Sequence, residues 1–266
     1  MIISNSDNPL PSSKHSEHRR WCIFTSAGNF DNVTSWIERS PTRSWDLITA
    51  FYGDYKDTYD RLCLISDICL PMKGGKFQNL KKFYDSWPDI IDRYDFIFVA
   101  DDDLILRISD FDAAFGLAQQ LDLWVCQPAF SQEGKISHPI TAHVGGTSSI
   151  RFVNFVENTC PLFRSDRLKS FLDVFDDHLS GWGIDWWYCN HLGSDVSGRF
   201  AILDEVVVLN PYDHQRPGRA REITKLRRTS DRYDDWLRVK AKYGLSEYPH
   251  QLFDTIHKAS VGPFGD

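Results

Sequence analysis

No stretch of this 266-residue chain approaches the about 20 consecutive apolar residues that a membrane-spanning helix needs. An excess of basic charge is missing too: 30 Lys and Arg face 37 Asp and Glu, a net charge of −7. A domain whose main partner is nucleic acid would carry the opposite balance, so nucleic acid is not an expected partner. The six cysteines (Cys22, Cys63, Cys69, Cys126, Cys160 and Cys189) contain no Cys-x-x-Cys pair, and a zinc site would want closer ligand spacing. Their even number leaves a disulfide set open. Met1 to Asn8, however, lack a cationic segment followed by an apolar one, so a cytoplasmic protein with reduced, structural thiols is expected. No internal repeat and no linker divides the chain, which leaves one domain as the economical reading. What is present, 42% hydrophobic and 25% charged residues, rules out a mostly disordered chain. Aromatics reach 14%, with nine Trp; sugar-binding clefts use such rings, and so do ordinary cores.

Residues 1–18 are polar and rich in Ser, Asn and Pro, a loose leader. Trp21–Gly28 and Trp45–Tyr52 are short apolar runs that end in small or turn residues, the pattern of buried strands entering loops. Arg61–Ile65 reads as a third. Over Phe77–Tyr94, Leu80, Phe83, Tyr84, Trp87, Ile90 and Ile91 recur at helical spacing, which predicts an amphipathic helix kinked near Pro88. Phe96–Ala100 is a wholly apolar strand, Ser109–Leu121 a helix capped by Ser109, and Leu123–Cys126 another strand. The second half is less regular. It holds an apolar stretch near Phe152–Phe163, a helix from Ser165 to about Leu179 and a Trp- and Gly-rich element over Gly181–His191. A strand over Phe200–Leu209 and a basic, partly helical segment over Arg216–Lys242 follow. The alternation predicts an α/β fold with a mainly parallel central sheet flanked by helices. Residues 19–215 would form the main domain, with 216–266 a C-terminal extension packed on it.

Asp101, Asp102 and Asp103 follow directly on the Phe96–Ala100 strand, at the end where α/β sheets place their ligands. Two ionised carboxylates about 4 Å apart repel by roughly 4 kcal/mol at an effective dielectric of about 20. Such a cluster asks for a cation or a shared proton, and its oxygens suit Mg²⁺ or Mn²⁺. A solvated acidic turn or helix cap is the plainer alternative. Gly181-Trp-Gly-Ile-Asp185-Trp-Trp sets a carboxylate among indoles, behind glycines that admit close backbone approach; a turn before a core helix, with Asp185 as cap, would use the same residues. His214 lies in a loop just past the late strand, although a lone histidine is more often structural than a ligand.

In order along residues 20 to 220, these elements resemble the GT-A-type, nucleotide-sugar-dependent glycosyltransferases. Within that class they are similar to a group of plant and bacterial proteins catalogued as a domain of unknown function. The segments are Lys73-Gly-Gly-Lys76, Asp101-Asp102-Asp103-Leu104, Gln127-Pro128-Ala129, Ile140-Thr141, Phe155-Val156-Glu157 with Pro161-Leu162-Phe163, Gly181-Trp-Gly-Ile-Asp185, and His214-Gln-Arg216-Pro217. The triplet alone is weak; the ordered series is strong. The resemblance implies a GT-A-like single domain with a Rossmann-like N-terminal half. It implies transfer of a sugar from a nucleoside-diphosphate sugar, a UDP-hexose, to a hydroxyl of a glycan or glycolipid, with inversion, as in polysaccharide biosynthesis. Asp101 would face the ribose or donor sugar and contribute to the metal site, and Asp103 would bind Mn²⁺ or Mg²⁺ at the diphosphate. His214 would complete the metal site, because Asn210 stands where many relatives carry His. Asp185 would be the catalytic base. Thr25, Ser26, Ala27, Asp54 and Asp102 would contact the nucleotide, and Lys76 or Arg216 would add positive charge near phosphate. Trp182 and Trp186 would stack on the acceptor sugar. The basic residues Arg216, Arg219, Arg221, Lys225, Arg227 and Arg228 would either dock peripherally on anionic lipid at the inner face of a membrane or form a solvated face. A silent sugar- or nucleotide-binding module and a metal-dependent phosphoesterase are the other classes these residues allow. Neither accounts for the Trp-Gly-x-Asp element.

Overall fold

The apolar runs become strands buried on both faces. The computed structural model describes residues 19–37, 43–193, 197–216, 218 and 228–258; the leader and Arg219, Arg221, Lys225 and Arg227 lie outside them. β1 (Trp21–Ala27), β2 (Trp45–Phe51), β3 (Ile68–Pro71) and β4 (Phe96–Asp101) run parallel in the order β3-β2-β1-β4. Successive side chains point to opposite faces. Cys22, Phe24, Ile97 and Val99 enter one core, and Ile23, Leu47, Phe96 and Phe98 the other. Helices cover both. α1 (Val33–Ile37) and α2 (Lys56–Ile65) lie on the second face, through residues such as Trp36 and Leu62. α3 (Lys76–Ser86) and α4 (Pro88–Ile91) lie on the first, divided by Pro88 as the sequence predicts. α5 (Ile108–Gln120) buries Phe111, Ala114, Phe115 and Ala118, one face at 3.6 spacing. Its cap position is Arg107 rather than Ser109, and the Arg107 N–H donates to the Asp110 carboxylate at 2.8 Å.

Two expectations are corrected. Arg61–Ile65 is the end of α2, not a strand: Leu62 faces the core while Leu64 is 79% exposed, so the apolar cluster wraps around a helix, and the strand is β3 just beyond it. The sheet is mixed rather than mainly parallel. β5 (Val125–Phe130), β6 (Ser148–Val153), β7 (Leu162–Arg164), β8 (Phe200–Val208) and β9 (Leu252–His257) complete one sheet of nine strands, in the order β3-β2-β1-β4-β7-β5-β8-β6-β9. β7 is antiparallel to β4 and β5, and β6 is antiparallel to β8 and β9, while β5 and β8 remain parallel. The reason lies in the connections. β5 is followed by a loop with a 3-10 turn at Pro139–Thr141, not by a crossover helix, so the chain returns down the sheet as β6.

α6 (Ser165–Val174), α7 (Ile184–Leu192) and α8 (Thr229–Tyr243) pack on the first face, and α8 sinks Trp236 completely into that core. With β9 paired to β6, residues 228–258 belong to the same mixed α/β domain. No disulfide links the six cysteines; Cys22, Cys126, Cys160 and Cys189 are buried. Among the described residues no helix is long and apolar enough to cross a membrane.

Candidate functional site

The carboxyl ends of β1 and β4 open on a cleft of about 850 Å³. Asp101 ends β4 in register with Ser26 of β1, and both line it. Lys76, the first residue of α3, forms the floor. Its ammonium reaches Asp101 Oδ1 at 2.7 Å, the Asn158 carbonyl at 2.7 Å and the Thr159 carbonyl at 2.9 Å. An ammonium has three donors, and these contacts engage them all. Lys76 is therefore a strut between β4 and the 157–159 segment. The glycine before it is required for this fit: a Cβ on Gly75 would lie 2.6 Å from the Ser180 carbonyl oxygen.

The three aspartates do different work. Asp102 Oδ2 accepts the Gly28 N–H at 2.8 Å. Together with Asn32 Nδ2 donating to the Asp103 carbonyl (2.7 Å) and Trp36 Nε1 to the Leu104 carbonyl (2.8 Å), this pins the loop after β1 to the triplet. Asp103 is buried; its Oδ2 pairs with the Arg216 guanidinium, and its Oδ1 is buried without a hydrogen-bond partner. Arg216 also reaches Asn210 Oδ1 at 3.3 Å and the Pro211 carbonyl at 3.1 Å.

Asp185 stands in the first turn of α7. Gly183 caps that helix at φ 80°, and a Cβ there would come within 2.1 Å of the Trp236 ring, so position 183 admits only glycine without repacking. The Asp185 carboxylate accepts the Trp186 N–H at 2.9 Å. Burial pushes its pKa up to about 6, against the pull of the backbone N–H groups of Trp186 and Asn158. Glu157, also buried, is pushed up to about 7 by burial; Thr159 and Ser137 hydroxyls pull it down, and Asp185 and Asp101 add to the rise. Along the other wall Trp182 is 46% exposed, edge-on to Tyr233 at 5.5 Å, while Trp186 is buried and stacked on His250 at 5.5 Å. His138 packs on Phe155 at 4.6 Å, and burial lowers its pKa to about 4, so its ring is neutral.

Ser26, Lys76, Asp101, Asp102, Asp103, Trp182, Asp185 and Trp186 thus share one cleft. Others named from sequence do not reach its wall. Thr25 and Ala27 are fully buried within the sheet, and Asp54 is exposed beside Lys73 at 2.8 Å. His214 lies on an exposed 3-10 turn, Asp213–Gln215, with its ring stacked on Tyr212 at 5.8 Å. Its ligand atom does not gather with the Asp101 and Asp103 carboxylates within 4.8 Å, the spacing a shared ion needs. Asn210 lines the cleft instead. Lys135, Glu157 and Asn158 line it too, without a role assigned from sequence. For Glu157 a signal existed: it is an acidic residue closing the apolar run Phe155-Val156, the pattern that drew attention to Asp101.

The fold, a mixed α/β domain, is similar to that of solved S. aureus TarS structures. TarS 1–349 matches with a TM-score of 0.51 at 9% identity, over 74% of this chain and 61% of that one. The same fragment in complex with UDP gives 0.52 at 8% identity, over 71% and 59%. This chain therefore spans about three-fifths of that fragment, and at such identity the likeness is one of fold. The chain belongs to the family described as "Protein of unknown function (DUF707)", whose model matches residues 10–242. No curated protein matches it.

Proposed function

We propose that this protein is a glycosyltransferase that moves a hexose from a UDP-sugar to a hydroxyl of a glycan or glycolipid, by a single displacement with inversion. The observation that carries this reading is Asp185, a buried carboxyl with its pKa near 6, opening on the same cleft as Asp101 and Asp103. A base poised near neutral pH is suited to take the acceptor hydroxyl's proton as the glycosidic bond forms. UDP bound to TarS, a protein of like fold, supports a uridine nucleotide as the donor's leaving group.

Asp101 and Asp103 fit a hard divalent cation. Both are carboxylates on the cleft, and Asp103 Oδ1 is a buried oxygen with no donor. They would hold Mn²⁺ or Mg²⁺, which as a Lewis acid neutralises charge on a departing diphosphate. His214 is left out of that ligand set. Arg216, held by Asp103 and Asn210, brings a fixed guanidinium to the same end of the cleft and stabilises the leaving phosphate there. Half-exposed Trp182 offers a ring to the acceptor sugar, whereas Trp186 contributes an edge set by its packing on His250. A cytoplasmic site, with lipid docking through the 216–228 basic segment, stays part of this proposal.

Purified protein with UDP-hexoses and Mn²⁺ should release UDP and transfer sugar, and chelation should suppress turnover. Asp185→Asn should lower the rate about 10²- to 10⁴-fold while UDP binding persists. Wild-type rates from that variant would remove Asp185 as base, and undiminished turnover under chelation would remove the metal.

A further inference from the structure

We infer that Glu157 and Asn158 form the sugar-recognising floor of this cleft, where their oxygens accept hydrogen bonds from hydroxyls of the transferred hexose. The inference rests on the UDP-sugar reading and assigns residues within it. The 157–159 segment joins the two ends of the site. Lys76 ties its Asn158 and Thr159 carbonyls to Asp101, and Asn158 Nδ2 donates to the Gly181 carbonyl at 2.9 Å, at the root of the Asp185 turn. In a single displacement the ring being transferred lies between the leaving phosphate and the base. Glu157 lines the same cleft as the carboxylates assigned to those two roles, Asp101 and Asp185.

Its side chain is held in place. The Glu157 N–H donates to Gln127 Oε1 at 2.5 Å, and the Thr159 hydroxyl donates to Glu157 Oε1 at 2.8 Å. Its other oxygen, Oε2, is buried without a hydrogen-bond partner, and so are Asn158 Oδ1 and the Ser180 hydroxyl, on residues that line the same cleft. Buried oxygens without donors destabilise a fold, and native chains seldom keep several together unless a ligand satisfies them. Carboxylate and carboxamide oxygens only accept. Phosphate oxygens bring no donor to Asn158 Oδ1, whereas sugar hydroxyls supply donors to it and can both donate to Glu157 and accept from it when its carboxyl is protonated.

The test is calorimetric titration of wild type, Glu157→Gln, Glu157→Met and Asn158→Leu with UDP, UDP-glucose and UDP-N-acetylglucosamine, in Mn²⁺. UDP affinity should stay within about twofold of wild type. Affinity for the UDP-hexose that wild type prefers should fall about tenfold or more in Glu157→Met and Asn158→Leu, as for loss of a hydrogen bond to a charged or buried group. Glu157→Gln, which keeps one acceptor, should lose less. Equal losses for UDP and UDP-hexose, or none for either, would overturn the assignment. Wild type that binds neither would overturn the UDP-sugar reading itself, and this assignment with it. Thermal melting without ligand guards against misfolding: Glu157→Gln should melt no lower than wild type, because an amide oxygen keeps the Thr159 hydrogen bond and the swap removes a buried charge. A lower melting temperature would mark Oε2 as part of the fold and sink the inference.

Discussion

At the amino end of the parallel strands, Asp46 and Asp67 are buried among Arg19, Arg43 and Tyr94; at the carboxyl end, Glu157 and Asp185 are buried with hydroxyl and backbone N–H donors. Both clusters are acidic, but only the first holds cations of its own. Arg19 donates to Asp46 at 3.1 Å, the Tyr94 hydroxyl to Asp46 at 2.9 Å, Arg43 to Asp67 at 2.5 Å, and the Leu47 N–H to Asp67 at 2.7 Å. Glu157 and Asp185 have no ion-pair partner among the described residues. A buried acidic cluster neutralised by its own arginines is architecture; one without them is arranged for something that arrives later.

The contrast can be broken by substitution. Arg43→Met should destabilise the protein by about 3 kcal/mol in urea titrations, because it removes the guanidinium 2.5 Å from buried Asp67 and leaves Arg19 at 3.7 Å. A change below about 1 kcal/mol would mean that the amino-end network is not what holds these strands. Gly183→Ala should cost about 2–4 kcal/mol, from the left-handed backbone and the contact with Trp236 together. A neutral result would show that the turn presenting Asp185 repacks freely.

Removing a carboxylate at the carboxyl end, unlike removing a cation at the amino end, should stabilise the fold. Asp185 and Glu157 both titrate higher in the fold than in the unfolded chain, so their neutral forms favour folding. That stability is fully present below about pH 4 and is lost as pH rises through about 6 for Asp185 and about 7 for Glu157. Between these limits wild type should weaken against a Glu157→Gln/Asp185→Asn variant by about 2–3 kcal/mol per carboxyl. Parallel stability curves over that range would show both groups to be satisfied in the fold. The smallest effect is expected at Leu64→Lys, within about 0.5 kcal/mol, since that side chain points outward from α2. A large loss there would restore the strand reading of Arg61–Ile65.

What the sequence alone determined follows from local pattern. The continuous apolar runs of β1, β2 and β4 specify strands covered on both faces, Pro88 separates α3 from α4, and the strand-end triplet and the Gly-Trp-Gly-Ile-Asp turn mark the cleft. Periodicity records burial, and burial is a property of each segment. Only the tertiary structure decided the mixed order of the sheet, because pairing direction depends on how distant segments meet and not on their own alternation. It also decided that Arg216 rather than His214 reaches Asp103, that Thr25 and Ala27 turn into the sheet, and that Glu157 joins Asp185 in one cleft. Each of these is a choice of partner between distant parts of the chain; 27 residues separate Glu157 from Asp185. Such choices are set by the packing of the whole core, which no local spacing encodes.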